Sequence, residues 1–402
     1  MNRRSKPPAV NKCRLSLRES SVLRFFRGAK DDNKWPHDAK SLRLIVVVLI
    51  VIATKSVTAE EAAKSSTTEK FRGALLSAVD VTSDRLGKLK EDGLTSIVLL
   101  VEGTSKKEAE TQRGAAELVA ASGLELHYWI EVARCSELAD AHPEWMASLQ
   151  THDEWQRFFP DTPKPAADEV AKTYPWVPIL ARQPFQAQLL RVKTLLADQP
   201  DPVSVFLNDL QGAPSACGCG NTLCRWTSDY GKKRTTVPLG DDAATLFVNA
   251  VKAVLPNSSV IPVWTTECEK HDGAEDGLCA GVGCFDGICW KAYTKQLMPL
   301  QQASERLAVL APFREFQRDL PVYGEKAGWV RYAIESFAKM PPQHGGTEIP
   351  ASRLIAVLQG WDVKASEVEA QVRMANESGA CGYIIAYEKI EQSWQPKVVR
   401  WR

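Results

Sequence analysis

The sequence predicts an α/β fold: a (β/α)8 TIM barrel with long loop insertions after its third, fourth and fifth strands. Three observations carry that reading. Apolar runs of β type alternate with segments that are apolar at spacings of three and four, the runs number eight, and polar or charged residues stand where several of the runs stop. Eight strand–helix units are what a barrel of parallel strands requires, and in such a barrel the C-terminal strand ends meet at one mouth. An open doubly wound sheet is the alternative that the alternation alone would also allow.

The runs fall at residues 73–80 (GALLSAVD), 96–102 (SIVLLVE), 124–132 (LELHYWIEV), 203–209 (VSVFLND), 260–266 (VIPVWTT), 307–311 (LAVLA), 354–360 (LIAVLQG) and 383–388 (YIIAYE). Between them, residues 106–121, 185–196, 242–254, 328–340 and 366–378 carry one apolar face each, the pattern of helices laid on a sheet. The insertion at 134–202 is far longer than an ordinary connection and holds His142-Pro-Glu-Trp145, Trp155 and Tyr174-Pro-Trp176; so many aromatics argue against a disordered segment. The sequence shows no internal repeat and no low-complexity tract.

The 402 residues divide into 1–59, a signal peptide with a long basic n-region, 60–70, a polar linker, and 71–402, one barrel domain. Residues 1–43 hold 12 Lys and Arg against 4 Asp and Glu, and the ten apolar residues 44–53 follow directly. A membrane-spanning helix needs about 20 such residues. Basic stretch, short apolar run and the small residues ending Val57-Thr-Ala59 give the order of a secretory signal, so a secreted or periplasmic location with no stable membrane span is expected. A short membrane anchor or a buried segment is the competing account. Residues 60–402 then carry 37 basic and 45 acidic side chains, and an acidic body lacks the surface that phosphate neutralisation needs, which excludes nucleic acid as the expected partner.

Two carboxylates close neighbouring runs: Asp209, in Asn208-Asp-Leu-Gln211-Gly, and Glu267, after Trp264-Thr-Thr. Glycoside hydrolysis needs such a pair, one protonated to help the leaving oxygen and one ionised as nucleophile or base. Either could instead cap a helix or meet an arginine. Asp362 and Glu388, at the ends of the seventh and eighth runs, are the reserves. Eleven of the 12 tryptophans follow residue 60, and Trp129, Trp264, Trp361 and Trp394 stand near run ends, where a flat aromatic face would suit a sugar ring; core packing is the plainer account of any one of them. Glu131, Asn208, Gln211, Trp264 and Trp361, with Asp362 and Glu388, are the candidate sugar-binding residues.

Seven of the nine cysteines after residue 60 fall in two blocks, Cys217, Cys219 and Cys224 after the fourth run, and Cys268, Cys279, Cys284 and Cys289 after the fifth; the other two are Cys135 and Cys381. Disulfides stapling adjacent loops fit an exported chain. Zinc on Cys217, Cys219 and Cys224 is the second account, though their spacing is not that of a zinc-ribbon CxxC pair; His271 is near enough to be a fourth ligand, and a solvated loop histidine is its plainer reading. No cofactor is otherwise expected, because the sequence has no GxxxxGK(S/T) phosphate loop, GxGxxG turn, GxSxG elbow or HExxH helix.

HPEWM (His142 to Met146), then a long segment and a helix, then FLNDLQGAPSACGCGNTLC (Phe206 to Cys224), resembles secreted bacterial glycosidase-like TIM-barrel proteins of the hypothetical glycoside hydrolase type, over roughly residues 124–226. The resemblance implies a (β/α)8 barrel and puts Asp209 at the family's acidic position on the fourth strand. The chain departs from that pattern in Asn208-Asp209-Leu210 and in the second cysteine block. The long basic leader is also similar to that of planctomycete-type exported proteins. The reading is therefore an exported glycoside hydrolase-like barrel whose mouth binds carbohydrate and hydrolyses it through Asp209 and Glu267. A non-catalytic carbohydrate- or surface-binding barrel with cysteine-stapled loops is the alternative, and a metal site at Cys217, Cys219 and Cys224 a third. Protein recovered from the extracytoplasmic fraction should begin near Glu60, and its non-reduced peptides should show bridges within or between the two cysteine blocks. An intact Met1 with freely alkylating cysteines would overturn export and stapling together.

Overall fold

A computed structural model of the chain describes residues 70–146, 169–172, 175–210, 242–265, 290–312, 327–339, 341–388 and 397–400. The expected leader, the linker but for Lys70, and both cysteine blocks lie outside the described residues. Glu69–Arg402 forms one compact unit.

β1 (Phe71–Leu76), β2 (Ser96–Leu100), β3 (Glu125–Glu131), β5 (Ser204–Asn208), β6 (Ser259–Thr265), β7 (Leu307–Ala311), β8 (Leu354–Gln359) and β9 (Gly382–Ala386) close into a barrel in that order, every neighbouring pair parallel. Two short strands stand apart: β4 (Glu169–Lys172), inside the first insertion, pairs antiparallel with β10 (Lys397–Arg400). The helices are α1 (Ser83–Glu91), α2 (Lys106–Ser122), α3 (Ser136–Ala141), α4 (Arg182–Leu196), α5 (Ala243–Val254), α6 (Trp290–Ala303), α7 (Gly328–Lys339) and α8 (Ala365–Glu377). None of the described helices is long and apolar enough to cross a membrane.

The strand residues are apolar on both faces because both faces are covered. One set, including Phe71, Val98, Trp129, Phe206, Val263 and Ile384, packs inside the barrel. The alternating set, including Leu76, Leu99, Tyr128, Leu207 and Trp264, packs outward with helix residues such as Val119, Val192, Phe247 and Phe337. Helix ends follow local chemistry: Ser105 and Glu108 form a reciprocal capping box on α2, whose far end turns through Gly123 at φ 75°. α1 and α6 carry weaker sequence signals. α1 buries only Leu86 and Leu89, and α6 contains Pro299, which breaks the helical pattern as a reader of sequence would score it.

The N-terminal end of the barrel is stoppered. The His127 ring meets Phe71 edge-on at 5.0 Å and Phe206 at 6.1 Å, its Nδ1 lies 2.6 Å from Ser204 Oγ, and its Nε2 faces the Glu125 carboxylate at 3.5 Å. Ser96 donates to the same carboxylate at 3.0 Å. The hydrogen bond from His127, with a further one from Ser96, holds the Glu125 carboxyl below the ordinary carboxylate range.

Closure happens where β1 meets β9, and Gly382 makes it possible. It pairs with Phe71, and a Cβ placed on it would stand 2.6 Å from Phe71 Cβ and 2.7 Å from Phe71 Cα, in backbone that cannot yield. Gly382→Ala should therefore destabilise the fold by about 3 kcal/mol, read as a lower urea midpoint with little change in slope. A midpoint equal to the parent's would show that the seam has slack.

Candidate active site

Parallel strands bring the residues that follow each one to the same end, so Asp80, Glu102, Glu131, Asn208-Asp209, Trp361-Asp362 and Glu388 all stand at the C-terminal mouth. The centre of the group is Glu131. It lies two residues beyond Trp129, hence on the inward face of β3, and opposite Asn208, which lies two beyond the inward Phe206. It is wholly buried. Trp129 Nε1 donates to its Oε1 at 2.7 Å, and the Asn208 amide donates to both oxygens at 3.1 and 3.0 Å. Burial alone would raise its pKa, but the field of Arg134, a hydrogen bond with Asp209 and the donors just named outweigh it and hold the carboxyl below its ordinary range.

Asp209 belongs to the same network. Its Oδ2 lies 3.4 Å from Arg134 Nε, the two side chains being 7% and 17% exposed, and its backbone takes the left-handed conformation at φ 58°. That conformation costs a side-chain-bearing residue about 1 kcal/mol. Arg134 is itself fixed by backbone: the insertion returns to pair Arg134 with Trp176, with Val177 N donating to Ala133 O at 2.8 Å and Cys135 N to Pro175 O at 2.9 Å. From α4, Arg191 donates to the Glu131 carbonyl at 2.8 Å.

Around this ionised centre Glu102 and Glu388 are pushed the other way. Burial, then the charge of Glu131, raises the Glu102 carboxyl against the opposing fields of Arg191 and Arg134. Glu388 shares a hydrogen bond with Asp80, which with burial and the Asp80 charge pushes it up to about 7. Asp80 is correspondingly held low by that hydrogen bond and by the Ser77 hydroxyl, with Arg85 adding to it.

The structure thus gathers Glu131, Asn208, Asp209 and Glu388 of the expected site at one rim. Trp361 packs half-buried against the inner core, and the exposed Asp362 turns through φ 52° after β8. Trp264 is corrected: it follows the inward Val263, so it faces the helices, fully buried, and offers the mouth nothing. Gln211, Glu267, Trp394, His271 and the seven loop cysteines lie outside the described residues. Cys135 is buried and Cys381 half-buried, both as thiols. Among the described residues no three His, Cys, Asp or Glu side chains are grouped to hold a metal ion. Reading the sequence as far as the acids missed their cations. Arg134, three residues past Glu131, and Arg85, five past Asp80, carry no pattern of their own, and Arg191 sits in a helix.

No family model matches the chain, and no curated protein does. Among solved structures it is similar to GH5_18 from Streptomyces cattleya in complex with GlcNAc, at 9% identity and a TM-score of 0.40, covering 79% of this chain and 70% of that one. It is also similar to alpha-L-fucosidase isoenzyme 2 from Paenibacillus thiaminolyticus, at 13% identity and a TM-score of 0.39 over 80% of this chain and 46% of that one. A third is the beta-galactosidase of the psychrophilic Marinomonas ef1, at 11% identity and a TM-score of 0.44 over 79% and 53%.

Removing the central cation tests the electrostatics. Arg134→Met leaves Glu131 and Asp209 buried without their countercharge and should cost about 3 kcal/mol of stability at neutral pH. The deficit should shrink on acidification, because a protonated carboxyl no longer misses the arginine. A deficit independent of pH would mean that Arg134 matters for packing alone.

Proposed function

We propose that the barrel mouth binds a carbohydrate and hydrolyses it, with Asp209 and Glu267 in its catalytic set. One observation carries this reading: carboxyl groups shifted in opposite directions share one rim, Glu131 held below its ordinary range while Glu102 and Glu388 are pushed up. Cleaving a glycosidic bond needs both forms side by side, one to protonate the departing oxygen and one to meet the anomeric carbon or its water. The half-buried Trp361 would orient the sugar, joined by Asp362 and Glu388 at the rim; Glu131 would act through Asn208, which it holds, and Gln211 belongs to the same set on the sequence reading. Export through the basic leader and stapling of the two cysteine loops, by disulfides or by zinc, belong to the same proposal and are supported by the sequence features that suggested them.

The ion pair of Asp209 with Arg134 favours the second reading, a carbohydrate-binding barrel without turnover, since a carboxylate fixed by a cation and low in exposure is a poor proton shuttle. A glycan panel followed by Asp209→Asn and Glu267→Gln decides between them. Loss of a general acid or base lowers turnover by about 10²- to 10⁴-fold, whereas loss of a binding contact chiefly raises the substrate concentration needed. Binding without hydrolysis across the panel would establish the second reading.

A further inference from the structure

Asp80 and Glu388 form a two-carboxyl unit separate from the Glu131 network. Asp80 follows β1 and Glu388 follows β9, the two strands that close the barrel, so the pair straddles the seam. Both oxygens of Asp80 are taken: Ser77 Oγ donates to Oδ2 at 2.5 Å, and Arg85 of α1 pairs with Oδ1 at 3.2 Å. Arg85 also lies over the Tyr387 ring at 5.5 Å, which anchors the guanidinium beside the pair. With Asp80 held as the carboxylate by a hydroxyl and a cation, the proton of the shared hydrogen bond belongs to Glu388. Glu388 is half-buried, open enough to reach a ligand. A second feature points to that ligand. Asn208 faces inward at the same mouth and is 3% exposed, and its Oδ1 is buried with no donor among the described residues. A buried acceptor of this kind is met by a small hydroxyl donor, a bound water or a sugar hydroxyl.

We propose that Glu388 is the proton donor of the mouth, held in its acid form by Asp80. This rests on the hydrolysis reading and assigns one of its parts. The glycosidic C–O bond breaks with its electron pair staying on the departing oxygen, which takes the proton from Glu388. Water adds to the anomeric carbon, and the proton it loses passes to a rim carboxylate and through solvent back to Glu388. Nothing besides water is consumed. The groups that set the acid are Asp80 after β1, itself held by Ser77, with Arg85 on α1 and Glu102 after β2; the charges of Asp80 and Glu102 favour its protonated form and Arg85 opposes them.

The test has two arms. In full-length protein with 13C-labelled glutamate carboxyls, the signal lost in Glu388→Gln should titrate near neutrality, about 7. In Asp80→Asn it should titrate lower, toward an ordinary glutamate. A Glu388 titration in the ordinary range in the parent overturns the assignment whether or not the protein hydrolyses anything. In the second arm, on a hydrolysed glycan, kcat/KM should fall as pH rises through that titration. Glu388→Gln should remove that limb and cost about 10²- to 10⁴-fold, far less on aryl glycosides whose leaving group needs no proton, while Glu388→Asp restores part of the rate. Equal losses on both substrate types would make Glu388 structural and end the proposal. A neutral titration with no panel glycan hydrolysed would be the failure of the hydrolysis reading, and the donor role would fall with it.

Discussion

A carboxylate buried away from bulk solvent has to be supplied with donors from within the fold, and Glu131 is such a group. Its burial cost would otherwise neutralise it or unfold its surroundings. Meeting that demand organises the mouth: Trp129 of its own strand, Asn208 of the next strand, and Arg134 of the following loop all turn towards it. Each supplier is then used again. Trp129 stacks on Phe206 at 6.0 Å in the barrel core, Arg134 holds Asp209, and the loop carrying Arg134 is zipped to the returning insertion at Trp176.

The same charge divides the rim electrically. Glu131, kept ionised, raises its neighbour Glu102, and Glu102 in turn adds to the field on Glu388. Carboxyl groups that would all ionise alike in water come to differ because they share one low-dielectric neighbourhood. The difference is a property of the closed barrel. Asp80 and Glu388 are separated by most of the chain, and only the β1–β9 seam makes them partners.

Much of this was legible in the sequence, for reasons that can be named. The eight barrel strands were visible because both faces of each are buried, which leaves runs such as SIVLL and LIAVLQ with almost no polar residue. Their ends were blurred: the first run was read to Asp80, whereas β1 stops at Leu76 and Asp80 sits in a short 3-10 turn, its place at the rim set by closure rather than by strand pairing. The strands β4 and β10, four residues each, pair with one another across more than two hundred residues, and nothing local announces them. At the site, the acids at strand ends could be found one by one. Their partners could not, since Arg85, Arg134 and Arg191 are ordinary until the fold sets them beside carboxylates. Trp264 shows the opposite error, because one step along a strand exchanges the two faces, and a residue near the rim can still point away from it.

The stopper at the other end has a consequence for traffic. With the His127 ring set against Phe71 and Phe206 and tied to Ser204, and with Trp129, Val263 and Ile384 packed above it, the barrel interior is a filled core rather than a tube. Anything that meets the mouth therefore approaches it and departs from it on the same side.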